Sequence, residues 1–252
     1  MGAMFRRVLP LAAACVLLLS ACSSGGAGSS TSPPRFAPTP APETTTTPPP
    51  EPPAWAAIPR HRYLDMWKRP GRPNPAFVFD SRLAGVGFGR MLLVGERDTN
   101  GERWLRVQLP IRPNGAAAWA RETDVRLVPR YDELKVDLSK RVLEHYRDGE
   151  LIDRFRVGIG RPEYPTALGT FYVWQKVNFD EWYGPYGIYA LGLSGFSPVL
   201  LDWPGGGRMA IHGTADPSDR GREVSHGCVR IYNVGMKLLR RIPLGTPVVI
   251  RP

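Results

Sequence analysis

Apolar and polar residues alternate with period two along much of the C-terminal half of the chain. Residues 134–138, 141–146 and 151–157 all show this alternation. Residues two apart on an extended strand share a face, so each run reads as a half-buried strand. Asp148-Gly149 separates the second and third runs. A two-residue hairpin turn needs positive φ at both positions, which this pair tolerates. Residues 170–174 and 209–211 are further strands, and 247–250 add a last one. A helical period appears at residues 233–241, through Val234, Leu238 and Leu239. Lys237, Arg240 and Arg241 sit in its last turn, where the helix dipole favours cations. Upstream, residues 76–79, 90–94, 104–109 and 118–120 read as short strands between Gly, Asn and Asp turns. The expected fold class is mainly β with one short helix.

The pattern divides the chain into four parts. Residues 131–252 form one strand-rich domain and residues 76–130 a small β module. Residues 23–75 hold 14 of the chain's 27 prolines. Their Thr44-Thr45-Thr46-Thr47-Pro48-Pro49-Pro50 run cannot bury a core, so the segment is expected to be an extended spacer. Residues 1–22 read as an export signal, with Arg6-Arg7 before an apolar run that is short for a bilayer span. The net charge of +10 is spread along the chain without a Lys/Arg block. That distribution lacks the basic patch of a nucleic-acid binder, and no nucleic-acid partner is expected.

Cysteine use sharpens the picture. Cys15 and Cys22 lie in the export segment, which leaves Cys228 alone in the remainder. A lone cysteine cannot close an internal disulfide. Ser225-His226-Gly227-Cys228 sets a histidine two residues before it, and His212-Gly213-Thr214 precedes a loop long enough to bring His212 back to face it. A free thiol has a pKa of roughly 8.5, so a histidine partner that stabilises the thiolate and returns a proton suits nucleophilic catalysis. His212 and His226 both qualify on spacing. The competing readings are a buried structural cysteine and a zinc site of Cys228, His212 and His226, for which no fourth ligand has an obvious spacing. No metal or cofactor is expected. His61 and His145 read as plain polar residues. The aromatic, Gly-rich stretches 182–186 and 189–197 are cleft or core.

Together, Ile211-His212-Gly213-Thr214 and Ser225-His226-Gly227-Cys228-Val229-Arg230 resemble the signature of the L,D-transpeptidase family with its YkuD-type catalytic domain. Lys135-Val136-Asp137-Leu138-Ser139, Gly158-Ile159-Gly160 and Pro165-Thr166-Ala167-Leu168-Gly169-Thr170-Phe171 extend the resemblance over nearly all of residues 131–252. Ala167 stands where the family commonly has proline. The resemblance implies a β-sandwich fold and cysteine acyl transfer on peptidoglycan stem peptides. It casts Cys228 as nucleophile and His212 as general base and acid. The backbone around His226, Gly227 and Cys228 becomes the oxyanion hole. Ser225 or the Gly213 carbonyl orients the imidazole. Arg230, in place of an Asn of other members, becomes a substrate-carboxylate or loop-fixing residue, with Gly213 and Tyr189 also expected at the substrate. The implied product is a 3→3 cross-link with release of D-alanine. Water as acceptor gives a carboxypeptidase, a protein amine gives attachment to the wall, and a non-catalytic peptidoglycan binder is the remaining alternative. Trp104 to Trp119 resembles a bacterial SH3-like β-barrel module. Leu19-Ser20-Ala21-Cys22 resembles a lipobox, which implies lipidation of Cys22 and a monomer tethered to a bacterial membrane in the cell envelope.

Overall fold

The computed structural model describes residues 51–83, 87–203 and 205–252. The expected export segment with Cys22 and residues 23–50 of the expected spacer lie outside the described residues. Among the described residues the chain is mainly β, with one α-helix, Asn233–Leu239.

A five-stranded antiparallel sheet comes first, in the spatial order Ala117–Arg121, Glu102–Gln108, Met91–Thr99, Ala54–Pro59, Val125–Arg130. Its Ala54–Pro59 strand corrects the spacer boundary, because residues 54–59 lie between two other strands of this sheet. Tyr63–Met66 pairs with Phe77–Asp80 as well. The prolines on either side hid the run Trp55-Ala56-Ala57-Ile58, which places Ala56 and Ala57 in the core and stops at Pro59, at a strand end where proline is tolerated. Leu64, Met66, Met91, Leu105 and Val107 pack into one cluster with Ala57.

The second sheet has eight strands, ordered Glu150–Arg156, Val142–Arg147, Asp132–Asp137, Pro247–Arg251, Gly169–Asn178, Tyr189–Phe196, Arg208–Thr214, Val229–Tyr232. The alternation in Asp132–Asp137 buries Leu134 and Val136 completely. Arg147 pairs with Glu150 across the expected hairpin, with Asp148 at φ 53° and Gly149 at φ 80°. Two pairings are parallel: Asp132–Asp137 with Pro247–Arg251, and Arg208–Thr214 with Val229–Tyr232. The helix follows the last of these strands directly and turns Asn233, Met236 and Leu239 inward, while Val234 and Leu238 stay exposed. That face differs from the expected one because the Asn233 side chain is anchored inside, accepting from the Ile188 amide and donating to the Trp182 carbonyl.

His145 is not a plain surface residue. It is fully buried between Asp132 at 2.7 Å and Asp153 at 3.0 Å, so three successive strands are tied by one imidazole. Arg147 completes the group with a 2.8 Å bond to Asp132.

The two sheets meet along a polar seam. Gln108 Nε2 donates to the Thr170 carbonyl at 2.9 Å, and the buried Tyr172 hydroxyl donates to the Gln108 carbonyl at 3.2 Å. Arg130 reaches the Leu244 carbonyl, and Arg208 reaches that of Pro110. Residues 48–252 form one compact unit.

Candidate active site

The parallel pairing of Arg208–Thr214 with Val229–Tyr232 builds the site. Its register sets Ile211 opposite Val229 and His212 opposite Arg230. Continued one residue back, it brings Cys228 beside Ala210. Side chains two apart on a strand share a face, so His212 and Cys228 emerge on the same side of the sheet. Both line a cavity of about 220 Å³, together with Ser225, His226, Arg230, Tyr186 and Trp203 among others.

His212 is 3% exposed. Its Nδ1 lies 2.9 Å from the Gly213 carbonyl, an acceptor, so Nδ1 carries the proton and Nε2 is left with a lone pair. Burial pushes its pKa down to about 4, against the opposing pull of the Gly213 carbonyl. Cys228 shifts the other way. Desolvation raises the thiol, partly offset by the Ala210 backbone amide and the Arg230 charge. The resting pair at neutral pH is therefore an imidazole and a thiol, not an ion pair.

His226 takes a different part from that of a base. Its ring lies between Trp203, stacked at 5.1 Å, and Tyr164 at 4.8 Å. Arg161 donates to its Nε2, and burial followed by the Arg161 and Arg230 charges lowers its pKa. Its accepting nitrogen is thus already engaged.

Several expected roles shift with the geometry. Ser225 does not touch the imidazole. Its hydroxyl donates to the Cys228 carbonyl at 2.5 Å and accepts from the Gly227 amide at 3.1 Å, which folds residues 225–228 into a fixed turn. The Gly213 carbonyl alone of the two expected partners holds the ring. The same turn uses up the Gly227 amide, so that group is not free for an oxyanion. Gly227 is needed for conformation, since it sits at φ +109°. Gly213 does not line the cavity. A Cβ there would lie 2.2 Å from Asn233 Oδ1, so this glycine is a packing position. Tyr189 is buried in the core, with Arg240 over its ring at 5.1 Å, and is absent from the cavity wall. Tyr186 is the tyrosine that lines the cavity, edge-on to His212 at 5.2 Å. Tyr186 lies in the turn before the Tyr189–Phe196 strand and Tyr189 on the strand itself, a difference that an aromatic-rich stretch does not reveal.

Arg230 lines the cavity and holds Asp219 at 3.3 Å, while the Thr214 hydroxyl donates to the same carboxylate oxygen at 2.9 Å. Through Asp219, Arg230 on the Val229–Tyr232 strand and Thr214 at the end of the His212 strand are both tied to the Pro217–Asp219 turn.

Residues 132–250 match the family model of the YkuD L,D-transpeptidase catalytic domain. The chain is 31% identical over 120 residues to a Bacillus licheniformis protein named as an L,D-transpeptidase YkuD, and the match covers 47% of this chain and 65% of that one. The Bacillus subtilis protein of the same name is 27% identical over 118 residues, covering 46% and 64%. The match thus spans just under two thirds of each relative. Among solved structures, an L,D-transpeptidase from Mycobacterium smegmatis aligns over 67% of this chain and 93% of its own, at 16% identity and a TM-score of 0.41. The catalytic domain of an Enterococcus faecium L,D-transpeptidase aligns over 48% and 96%, at 26% identity and a TM-score of 0.37. Residues 132–250 of this chain are thus similar to the YkuD-type L,D-transpeptidase catalytic domain, both by the family model and by the two Bacillus relatives.

Proposed function

We propose that the protein forms 3→3 peptidoglycan cross-links by acyl transfer through Cys228. One observation carries the reading: the cavity shared by a lone thiol and an imidazole whose Nδ1 proton is committed to Gly213, leaving Nε2 to accept a proton. In the first step Cys228 Sγ bonds to the carbonyl carbon of the stem's third residue and its proton passes to His212. The C–N bond to the terminal D-alanine breaks, and His212 protonates the departing amine. In the second step the side-chain amine of another stem attacks the thioester, gives a proton to His212 and releases the Cys228 thiol. With the Gly227 amide engaged by Ser225, the Cys228 amide is the backbone group next to the attacked carbonyl and serves as oxyanion donor. Lipidation at Cys22 and an SH3-like fold for the N-terminal module, now extended upstream to Ala54, belong to the same proposal, and they place the enzyme at the outer face of a membrane.

A carbapenem tests the nucleophile. A stoichiometric covalent adduct on Cys228 is expected in intact-protein mass spectra of the wild type and is lost in Cys228→Ser. An adduct that persists in Cys228→Ser, or stoichiometric zinc in the purified protein, overturns the assignment. Incubation with a disaccharide tetrapeptide then separates cross-linked dimers from the tripeptide that water would give.

A further inference from the structure

One wall of the cavity is not built by the catalytic sheet's strands. Leu200 and Trp203 line it from the connection between Tyr189–Phe196 and Arg208–Thr214. The stretch lies at the surface: Leu201 is 62% exposed and Trp203, though stacked on His226, 44%. The connection is held by its own bonds, from the Val199 and Leu200 amides to the Ser197 hydroxyl and from the Ser197 amide to the Gly207 carbonyl, and by side chains from the other sheet's side. Arg112, between the Glu102–Gln108 and Ala117–Arg121 strands, donates from Nη1 to the Ser197 carbonyl at 3.1 Å. Its Nη2 donates to the carbonyls of Leu200 at 3.2 Å and Gly206 at 2.9 Å. Two residues on, Asn114 pairs with the Phe196 backbone as a strand would, accepting from its amide at 2.9 Å and donating to its carbonyl at 2.8 Å. The guanidinium also lies 4.8 Å from the Phe196 ring.

We propose that Arg112 is a positioning residue of the acyl-transfer site, through which the N-terminal module sets the substrate-facing wall of Leu200 and Trp203. The inference rests on the function proposed above. A guanidinium presents several donors in a rigid fork, so one side chain can fix three carbonyls of a turn in a set relative geometry. Arg112 makes no ion pair among the described residues, so these carbonyls are its hydrogen-bond partners. The turn is tight: Gly207 sits at φ +69°, and a Cβ there would lie 1.9 Å from the Leu200 carbonyl oxygen. From this turn Trp203 stacks on His226, two residues from Cys228. The segment that carries the thiol is held separately by Ser225, so a displaced turn moves the substrate-facing wall and leaves Cys228 in place.

Arg112→Ala, Arg112→Lys and Asn114→Ala separate this role from a structural one. In Arg112→Ala, acylation of Cys228 by a tetrapeptide stem is expected to lose about tenfold to a hundredfold in kcat/KM, the scale of a small misplacement, mostly through KM. Alkylation by iodoacetamide, which needs no wall, stays within twofold of wild type. Added methylguanidine restores acylation of Arg112→Ala, and Arg112→Lys does not recover it, since an ammonium cannot span three carbonyls. Asn114→Ala shows a smaller loss of the same kind. Acylation within twofold of wild type in Arg112→Ala overturns the proposal, and so does a parallel loss of acylation and alkylation without rescue. If the wild type itself is not acylated, the functional reading fails. Hydrogen exchange at the Ser197, Leu200 and Gly206 peptides then decides the positioning claim, with unchanged exchange in Arg112→Ala refuting it.

Discussion

At the scale of single residues, the site is a pair of groups that burial keeps uncharged. His212 titrates at about 4 and Cys228 above its ordinary range. As the proposed base, His212 must be deprotonated to accept the thiol proton, so activity is expected to fall as pH drops through its pKa. The acid limb of kcat/KM is expected near 4 and not near the ~6.5 of a free histidine. Stem acylation measured from acid to neutral pH checks this, and a limb near the free value contradicts it. That Cys228 and His212 line one cavity was legible in the sequence, because glycine-flanked motifs announce both. Ser225, Gly213 and Tyr189 were not legible in their roles. Which atom a hydroxyl bonds, which way a glycine's missing side chain would point and which face a strand residue takes depend on register, and a one-residue slip reverses every face.

At the scale of elements, the Asp132, His145 and Asp153 group joins three neighbouring strands at one edge of the eight-stranded sheet. Burial opposes the charged form of His145, but the bonds to Asp132 and Asp153 outweigh it and its pKa is raised. Burial likewise opposes ionisation of Asp132, and its bonds to His145 and Arg147 win, so that pKa is lowered. A raised base stabilises fully below its unfolded pKa of ~6.5 and loses that contribution as pH climbs through its folded value. A lowered acid stabilises above its unfolded pKa of ~3.9 and loses that contribution as pH falls through its folded value. The group therefore contributes most between these limits. Replacing His145 with Asn is expected to lower the denaturation midpoint most at mildly acidic pH and less at alkaline pH, as urea titrations at several pH values would show. A pH-independent difference would remove the charged imidazole from the account. The strands themselves were readable from alternation and from Asp148-Gly149. The buried ion group was not, because the period-two pattern marks His145 as one more position in a strand and says nothing of partners on two others.

At the scale of the whole molecule, the described residues form one compact unit built around two main sheets. Arg130, Gln108, Tyr172 and Arg208 bridge them through carbonyl oxygens. Arg208, half-buried between Trp174 at 4.0 Å and Phe196 at 4.2 Å, is lowered to about 10 by that burial. Breaking such a seam exposes buried polar groups on both sides together, so a single cooperative transition is expected in calorimetry, with van't Hoff and calorimetric enthalpies equal. Two resolved transitions would show that the sheets melt separately. None of this seam was visible in the sequence, since contacts between a side chain and a distant backbone carbonyl leave no periodic trace. The seam also bears on where this protein can be divided. The edge of the family match, at Asp132, follows sequence similarity. A cut there would strip the Thr170 and Leu244 carbonyls and the Tyr172 hydroxyl of their partners and would remove Arg112 from the turn that it holds. The boundary drawn by sequence similarity and the boundary drawn by mechanics do not coincide, and a fragment beginning at the first would carry Cys228 without the frame that presents it.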